Sequence, residues 1–439
     1  MKKQIYSKRV WINGSLIPAT LTVKGGKITS ISDEKEHGAK DYGDHIIMPG
    51  VIDVHVHINE PGRTEWEGFD TGTKAAARGG TTTIVDMPLN SSPVVTHVKA
   101  FQNKINATEG KRHVNCGFWA GGIGQDIKDI HELLDAGCLG VKVFISDSGL
   151  EEFPNIQLDN LELLMKDFSG EEIPVLAHCE LDTLPAPLIK ADKWIKYADY
   201  LQSRPKEWEN EAIRQFVNLC TKYNCKAHIV HLASEEILSW IIDMKKKGSP
   251  FTVETCPHYL FFAAEDIQDG DTVLKCAPPI RKRQTQHKLK KALIDGVINF
   301  IATDHSPAPP NLKSLDSGDF RTAWGGISGI QFLLSASWTS LKSEASLEQF
   351  IPLVTEKPAS FLKQQFIGKL EIGARADICI WNPEFTFQVT EDIIEHKHKI
   401  TPYLGHELYG DVIATIVNGH TVFENGQFKF LNKGRLIKK

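Results

Sequence analysis

Residues 48–62 of this chain read MPGVIDVHVHINEPG, and the fold prediction starts from this stretch. Residues 52–57 have the composition of a short strand, and that strand ends in two histidines. His55 and His57 lie two residues apart, a spacing that places both imidazoles on one face of a strand. In a barrel, that face can be the inner one. Alone, a His-x-His pair is a weak signal, so its meaning depends on the rest of the chain.

Seven further strand-like segments lie downstream, and amphipathic or mixed segments of helical length lie between most of them. They are residues 82–87, 114–120, 140–145, 174–180, 226–234, 251–259 and 299–307. Eight strands alternating with helices over roughly 300 residues predict a TIM (β/α)₈ barrel. The alternative is a doubly wound sheet, but the glycine-rich phosphate loop that often comes after its first strand is absent here.

Both ends of the chain are rich in short strands separated by turn signals. Asn13-Gly14 and Gly25-Gly26 divide the first three of them, and residues 376–430 show the same pattern. We expect both termini to form one small β domain, with residues 1–48 in that domain, residues 49–367 in the barrel, and residues 368–439 in the domain and a C-terminal tail. The alternative is a pair of unrelated β appendages.

Composition excludes several classes of protein. The 439 residues carry a net charge of −5, which does not fit the basic surface of a nucleic-acid-binding protein. No apolar segment comes after Lys2-Lys3 as in a secretory signal, and none is long enough for a membrane helix. The eight cysteines include no Cys-x-x-Cys pair, as is usual for reduced thiols. We expect a cytoplasmic enzyme with a small-molecule substrate and no membrane or nucleic-acid partner.

Three more potential metal ligands lie where later strands are predicted to end. His178 ends the fifth strand (PVLAHCE), His231 the sixth (AHIVHLAS) and Asp304 the eighth (FIATDHSP). Catalytic groups of TIM barrels lie at the carboxyl ends of the strands. Together with His55 and His57, these residues predict a site for divalent metals. Zinc suits these donors best, but cobalt, manganese and iron also fit.

Lys142, in the segment GVKVFI of the fourth predicted strand, allows two interpretations. It could be an inward-facing lysine paired with a carboxylate. It could also be a carbamate, which forms when a neutral lysine amine reacts with CO₂, and burial near cations favours the neutral amine. The carbamate oxygens could bridge two metals, whereas a lysine ammonium would repel them. We therefore expect the carbamate.

Three other histidines receive structural interpretations. His228 lies an odd number of residues before His231, so strand alternation predicts that it points away from the barrel interior. His305 is the next residue after Asp304 and is expected to face the opposite side. His258, in ETCPHYL, is expected to be a core or supporting histidine rather than a ligand.

Seven segments together resemble the amidohydrolase superfamily, and specifically its cyclic-amidohydrolase branch of dihydroorotases, hydantoinases and allantoinases. They are MPGVIDVHVHINEPG, GVKVF, AHCE, IVHLAS, ETCPHY, APPIR and ATDHSP. The resemblance covers nearly the whole chain and implies a site with two metals. It implies that one metal is held by His55, His57, Lys142 and Asp304, and the other by His178, His231 and the shared carbamate. It also implies a homo-oligomer, often a tetramer.

Within that branch, the segments EPGRTEWEG, MPLN, AWGGISGIQ and HKHKITPYLGHELYG resemble the allantoinases, whose substrate is uncharged. Dihydroorotases carry an arginine for the substrate carboxylate at the position of Asn59. Hydantoinase is the nearest alternative function. Dihydroorotase is the next alternative, because Arg63 lies close in sequence and could replace the missing arginine. A different kind of alternative is a non-catalytic relative that keeps the barrel as a scaffold after losing its metal ligands. All six ligand positions are occupied in this sequence, which argues against that alternative.

The resemblance and the barrel topology also suggest which residues contact the substrate. Asn90 comes after the second strand and either contacts the ring or caps a turn. The backbone at Cys276 and Ala277, and the loop that contains Ser328, are further candidates. Asp304 is expected to act as general base and then as general acid.

Overall fold

The computed structural model describes residues 2–439, and its first five strands belong to one antiparallel-rich sheet. These strands are β1 (Lys2–Ile12), β2 (Ser15–Lys24), β3 (Lys27–Ser32), β4 (Lys40–Asp41) and β5 (Ile46–Pro49). The first two hairpins turn at the predicted Asn-Gly and Gly-Gly pairs, whose residues all have positive φ. Tight two-residue hairpins require that conformation. The N-terminal region is therefore strand-rich, as predicted.

The middle of the chain alternates strands with helices. Its strands are β6 (Val51–Val56), β7 (Thr81–Asp86), β8 (Asn115–Phe118), β9 (Ala120–Gly121), β10 (Val141–Phe144), β11 (Val175–His178), β12 (Ala227–Ile229), β13 (Phe251–Thr255) and β14 (Phe300–Ile301). Its helices are α1 (Phe69–Arg78), α2 (Val98–Ala107), α3 (Ile127–Ala136), α4 (Leu158–Asp167), α5 (Tyr197–Ser203), α6 (Lys206–Tyr223), α7 (Leu238–Lys246), α8 (Pro257–Phe261), α9 (Arg283–Ile294), α10 (Leu333–Leu341), α11 (Leu347–Val354) and α12 (Glu356–Phe361).

These strands close into the predicted (β/α)₈ barrel. All neighbouring pairs are parallel, and β8 and β9 are two parts of one strand interrupted at Trp119. A parallel bridge between Val56 and His305 joins the last strand to the first. Ile52, Leu176 and Val230 belong to the apolar cluster that fills the interior. The carboxyl ends of all eight strands therefore meet at one face, where TIM barrels carry their sites.

The last part of the chain returns to the first sheet. It forms β15 (Ile378–Gln388), β16 (Glu407–Val417), β17 (His420–Glu424) and β18 (Gln427–Phe428). The sheet order β18-β17-β16-β15-β5-β1-β2-β3 shows that β5 and β15 join the two termini, and they pair antiparallel. The prediction of one β domain built from both ends is confirmed, and the alternative of two separate appendages is wrong.

Several strands are shorter than predicted, and the excess lies at their carboxyl ends. The seventh ends at Thr255, and Pro257 then begins α8, where its fixed φ and missing N–H suit the first helical position. His231 and Asp304 lie beyond β12 and β14, with φ of 40° and 47°. Regular strand alternation therefore does not apply to either residue. In residues 2–439, no helix combines the length and the hydropathy needed to cross a membrane.

Candidate metal centre and active site

Asp304 and the two histidines that end the first strand form one group of potential ligands. The Oδ1 atom of Asp304 lies 3.2 Å from Nε2 of His55 and 3.4 Å from Nε2 of His57. One ligand atom from each of the three residues falls within 4.8 Å of the others, and all three side chains are buried. Two imidazoles and a carboxylate with converging ligand atoms can hold a divalent metal.

His178 and His231 form a second group beside the first. Nδ1 of His178 lies 2.9 Å from Nε2 of His231, and both rings are buried. Two nitrogens that bind one zinc ion tetrahedrally lie about 3.3 Å apart, given zinc–nitrogen bonds of about 2.0 Å. The ring centres of His231 and His55 are 5.5 Å apart, so the two groups are adjacent. The four histidines and Asp304 thus form one continuous cluster of potential ligands.

Lys142 lies within the barrel close to both groups, and its environment favours the neutral amine. Its Nζ atom is buried, has no hydrogen-bond partner in residues 2–439, and lies 4.9 Å from the centre of the Phe144 ring. The same ring stacks on His178 at 4.6 Å. Burial lowers the pKa of Lys142 to about 8, although the charges of Asp304 and Glu254 oppose this shift. An unpaired buried amine fits a group that is modified and then binds metal.

Glu254 supports the first group of ligands from inside the barrel. Its carboxylate contacts Nδ1 of His55 at 2.5 Å and Nε2 of His228 at 3.0 Å. Burial alone would raise the pKa of Glu254, but the charges and hydrogen bonds of these two histidines hold it below its usual range. A carboxylate that binds the second nitrogen of a metal-binding imidazole fixes the orientation of that ring.

The predicted outward orientation of His228 is therefore wrong. His228 is fully buried, contacts Glu254 in the interior, and stacks on Phe300 with ring centres 5.2 Å apart. The prediction counted strand positions back from His231. That count fails because β12 ends at Ile229 and the positive φ of His231 breaks the alternation.

Glu180 supports the second group, and the sequence reasoning did not identify it. Its Oε2 atom lies 2.9 Å from Nε2 of His178, and its Oε1 accepts a hydrogen bond of 3.1 Å from Nε of Arg204. The signal was present, because Glu180 stands two residues after His178 in AHCE. On a strand that spacing brings two side chains to the same face. Glu254, in ETCPHY, carried no comparable signal because its partners lie on other strands.

A cavity of about 570 Å³ opens above these groups. Its aromatic wall consists of Phe144, Trp194, Tyr200, Trp208 and Trp324. Among the predicted substrate contacts, Asn90 and Ala277 line this cavity. Cys276 and Ser328 do not line the cavity. Their carbonyl oxygens instead accept hydrogen bonds from the hydroxyls of Tyr200 and Thr401, each at 2.7 Å.

Asn59 also lies outside the lining of the cavity. Its side chain is fully buried, and its amide donates to the carbonyl of Pro307 at 3.2 Å. Arg63 is nearer the opening, where it donates to the carbonyl of Asn90 and pairs with Glu152 at 3.2 Å. Neither residue presents a free cation to the cavity, so a carboxylate-bearing ring would find no partner at these two positions.

Comparison with known proteins agrees with this geometry. The model of the Amidohydrolase family matches residues 46–422. Allantoinase of Arabidopsis thaliana is 40% identical over 96% of this chain and 88% of its own length. Allantoinase of Streptomyces avermitilis is also 40% identical, over 96% of this chain and 95% of its own length. Allantoinase of Saccharomyces cerevisiae is 36% identical, over 96% of this chain and 95% of its own length.

Solved structures show the same architecture. L-hydantoinase (dihydropyrimidinase) from Arthrobacter aurescens superimposes with a TM-score of 0.93 at 26% identity, over 100% of both chains. Dihydropyrimidinase from Brevibacillus agri NCHU1002 gives a TM-score of 0.90 at 25% identity, over 100% of this chain and 99% of that one. With a family match over most of its length and full-length relatives at this level of identity, the chain belongs to the amidohydrolase family.

Proposed function

We propose that this protein hydrolyses the hydantoin ring of allantoin and releases allantoate. The observation that carries the proposal is the 40% identity to allantoinases over 96% of the chain, together with the four histidines and Asp304 that line one cavity. Arg63, the possible replacement for the dihydroorotase arginine, lies outside the cavity lining and pairs with Glu152, which argues against dihydroorotate as the substrate. We further propose a homo-oligomer, as the family resemblance implies, and a cytoplasmic location, as the eight unpaired cysteines suggest.

The residues fit two divalent metal ions, and we propose zinc. One ion would be held by His55, His57, Asp304 and the modified Lys142, and the other by His178, His231 and that same lysine. Bound divalent ions lower the pKa of a water molecule and polarise a carbonyl group. Four neutral imidazoles and one carboxylate supply a single negative charge, so a further anion between the ions would reduce their mutual repulsion.

We propose that Lys142 supplies that anion as a carbamate. Its neutral amine would attack CO₂, form a nitrogen–carbon bond and release one proton. The product carries one negative charge over two oxygens. The buried Nζ atom of Lys142 has no carboxylate or carbonyl partner in residues 2–439 that would have to be displaced.

Asp304 would move the proton of the reaction. Its contacts with His55, His57 and Ser306 all fall on Oδ1, which leaves Oδ2 able to accept and release a proton. Asp304 would take a proton from the attacking water and deliver it to the ring nitrogen that leaves. The aromatic wall would limit access of bulk water, while Asn90 and the backbone at Ala277 would orient the ring.

Initial rates of the metal-loaded enzyme on four substrates test the proposed substrate. We expect allantoin to exceed hydantoin, dihydrouracil and dihydroorotate in kcat/KM by at least about tenfold, or about 1.4 kcal/mol in transition-state binding. The chelated protein is the control and should be inactive. Hydantoinase is the second candidate, because hydantoinase structures superimpose over the whole chain. A higher kcat/KM on hydantoin or dihydrouracil would establish that candidate and reject allantoin.

A further inference from the structure

Three segments from distant parts of the chain meet beside the cavity. They are EWEG (residues 65–68), the segment from Trp324 to Ile330, and HKHKIT (residues 396–401). The middle segment, residues 324–330, is called the pocket loop here. Trp324, Gly325 and Gly326 at its start line the cavity. The other two segments contact the pocket loop from behind.

Glu67 is a buried carboxylate at the centre of this meeting point. Its side chain is fully buried, and it accepts hydrogen bonds from the hydroxyl of Thr71 and from the backbone N–H of Lys397, the latter at 3.1 Å. Its Oε2 atom also lies 3.6 Å from Nε2 of His305. A buried carboxylate without compensating partners is costly. Glu67 therefore joins the chain near α1 to the C-terminal segment by hydrogen bonds, and its carboxylate faces the ring of His305 at ion-pair distance without a hydrogen bond.

His305 lies between Glu67 and the pocket loop and binds the loop directly. Its Nδ1 atom accepts hydrogen bonds from the backbone N–H groups of Gly329 at 3.1 Å and Ile330 at 3.4 Å. The ring proton therefore resides on Nε2, the nitrogen that faces Glu67. The carbonyl of His305 accepts from the N–H of His57 at 2.7 Å. One histidine thus connects the pocket loop, the first barrel strand and Asp304, its neighbour in sequence.

Other contacts also hold the pocket loop. The hydroxyl of Thr401 donates to the carbonyl of Ser328 at 2.7 Å. Gly326 packs so closely that a β-carbon would lie 2.3 Å from the carbonyl oxygen of Ser306, and its φ is +150°. Only glycine fits this close approach. Trp66, the neighbour of Glu67, packs edge-to-face on Trp324 with ring centres 4.9 Å apart.

We propose that Glu67 is a positioning residue that fixes the pocket loop through His305 and through residues 396–401. The loop forms one wall of the cavity, so its position determines how tightly the ring is held. Glu67 contacts none of the six potential metal ligands, and its effect falls on substrate binding rather than on the bond-breaking step. The inference rests on the proposed function, because it concerns the same cavity.

The test compares Glu67→Ala with Glu67→Gln and with Glu65→Ala, a matched change at an exposed carboxylate two residues away. For Glu67→Ala we expect KM to rise at least about fivefold, as for the loss of one buried hydrogen-bonded contact, with kcat within about twofold. Glu67→Gln keeps an acceptor for the N–H of Lys397 and should restore part of the loss. Glu65→Ala should behave as wild type.

Hydrogen exchange provides a readout that does not depend on activity. In Glu67→Ala, backbone amides of residues 324–330 should exchange faster, while those of the barrel strands remain unchanged. A general loss of stability would instead accelerate exchange throughout and lower kcat at constant KM. Either that pattern or an unchanged KM with unchanged local exchange overturns the inference. If Glu67→Ala does not fold, Glu67→Gln decides, because it keeps the size of the side chain and removes the charge that faces His305. An unchanged KM with unchanged exchange at residues 324–330 in that variant would overturn the inference.

Failure of the substrate assignment remains distinguishable from failure of this inference. If wild-type protein prefers another ring among the four substrates, the proposed function fails. The KM comparison then uses that preferred substrate. The local exchange of the pocket loop requires no substrate, so it tests the positioning role in either case.

Discussion

At the scale of single residues, Lys142 is subject to the strongest chemical constraint. It is a lysine among potential metal ligands, and as an ammonium it would repel both ions. We predict that Lys142→Ala loses at least one metal per chain and nearly all activity. Mass spectrometry measures the metal content, and kcat on allantoin measures the activity. Lys128→Ala, a change at an exposed lysine, is the control and should retain both its metal ions and its activity.

The same variant tests the carbamate separately from the fold. A small carboxylic acid added to Lys142→Ala should restore part of the turnover by occupying the vacated position. The intact mass of metal-loaded wild-type protein should exceed that of the unmodified chain by one CO₂. An unmodified Lys142 in a fully active enzyme with two metals would disprove the carbamate.

Lys313 provides a prediction about pH and stability at the residue scale. It is buried, and its Nζ donates to the carbonyls of Trp324 at 3.0 Å and Gly326 at 2.9 Å. Burial lowers its pKa from 10.5 to about 7, with Lys275 adding to this and Asp271 and Cys276 opposing it. Between those values the unfolded chain binds the proton and the folded chain does not. The contribution of Lys313 to stability therefore rises with pH across this window.

We therefore predict that Lys313→Met is more stable relative to wild type at pH 6 than at pH 9. The expected change in that difference is on the order of 2 kcal/mol. Denaturant unfolding of both proteins at the two pH values measures it. A difference that stays constant between pH 6 and pH 9 would show that Lys313 does not titrate in this range.

At the scale of elements, Glu254 joins three barrel strands through one carboxylate. It lies on β13 and binds His55 of β6 and His228 of β12. We predict that Glu254→Gln lowers metal affinity about 10- to 100-fold, because the carboxylate that orients His55 is replaced by an amide. Competition with a chelator measures the affinity. Exposed Glu109→Gln is the matched control, and equal affinities in the two variants would contradict the prediction.

The limits of sequence prediction also appear at this scale. Strand composition and spacing predicted the barrel and the cluster of His55, His57, His178, His231 and Asp304. They did not predict the orientation of His228, because that depends on a local break with positive φ at His231. They also missed Glu254, because its role depends on contacts between strands far apart in sequence. Asn59 looked like a specificity residue, but its side chain contacts Pro307 instead of the cavity.

At the scale of the whole molecule, the last residues of the chain are part of the structure. The N–H of Cys116 donates to the carbonyl of Arg435, and the N–H of Ile437 donates to the carbonyl of Cys116, both at 2.9 Å. Ile437 is only 2% exposed. The segment therefore pairs parallel with β8, and Ile437 joins the apolar cluster that fills the barrel, where the sequence predicted only a tail.

We predict that deletion of residues 431–439 lowers Tm by several degrees, because it exposes apolar surface around Ile437 and frees backbone groups of β8. KM should not change, because the segment lies away from the cavity. Deletion of the exposed Lys438 and Lys439 alone is the control and should leave Tm unchanged. Thermal unfolding and substrate kinetics of both truncations measure this, and equal Tm values would show that the pairing contributes little.

The pairing of β5 with β15 has a consequence for synthesis of the chain on the ribosome. Strand β5 is made early, but its antiparallel partner β15 emerges only after residues 50–377 have been translated. Until then β5 has an unpaired apolar edge, the kind of edge on which nascent chains stick to one another. A message cut short before the codons for β15 would therefore yield a barrel attached to an incomplete sheet. Such a chain should be recognised by chaperones and proteases rather than accumulate as a shortened enzyme.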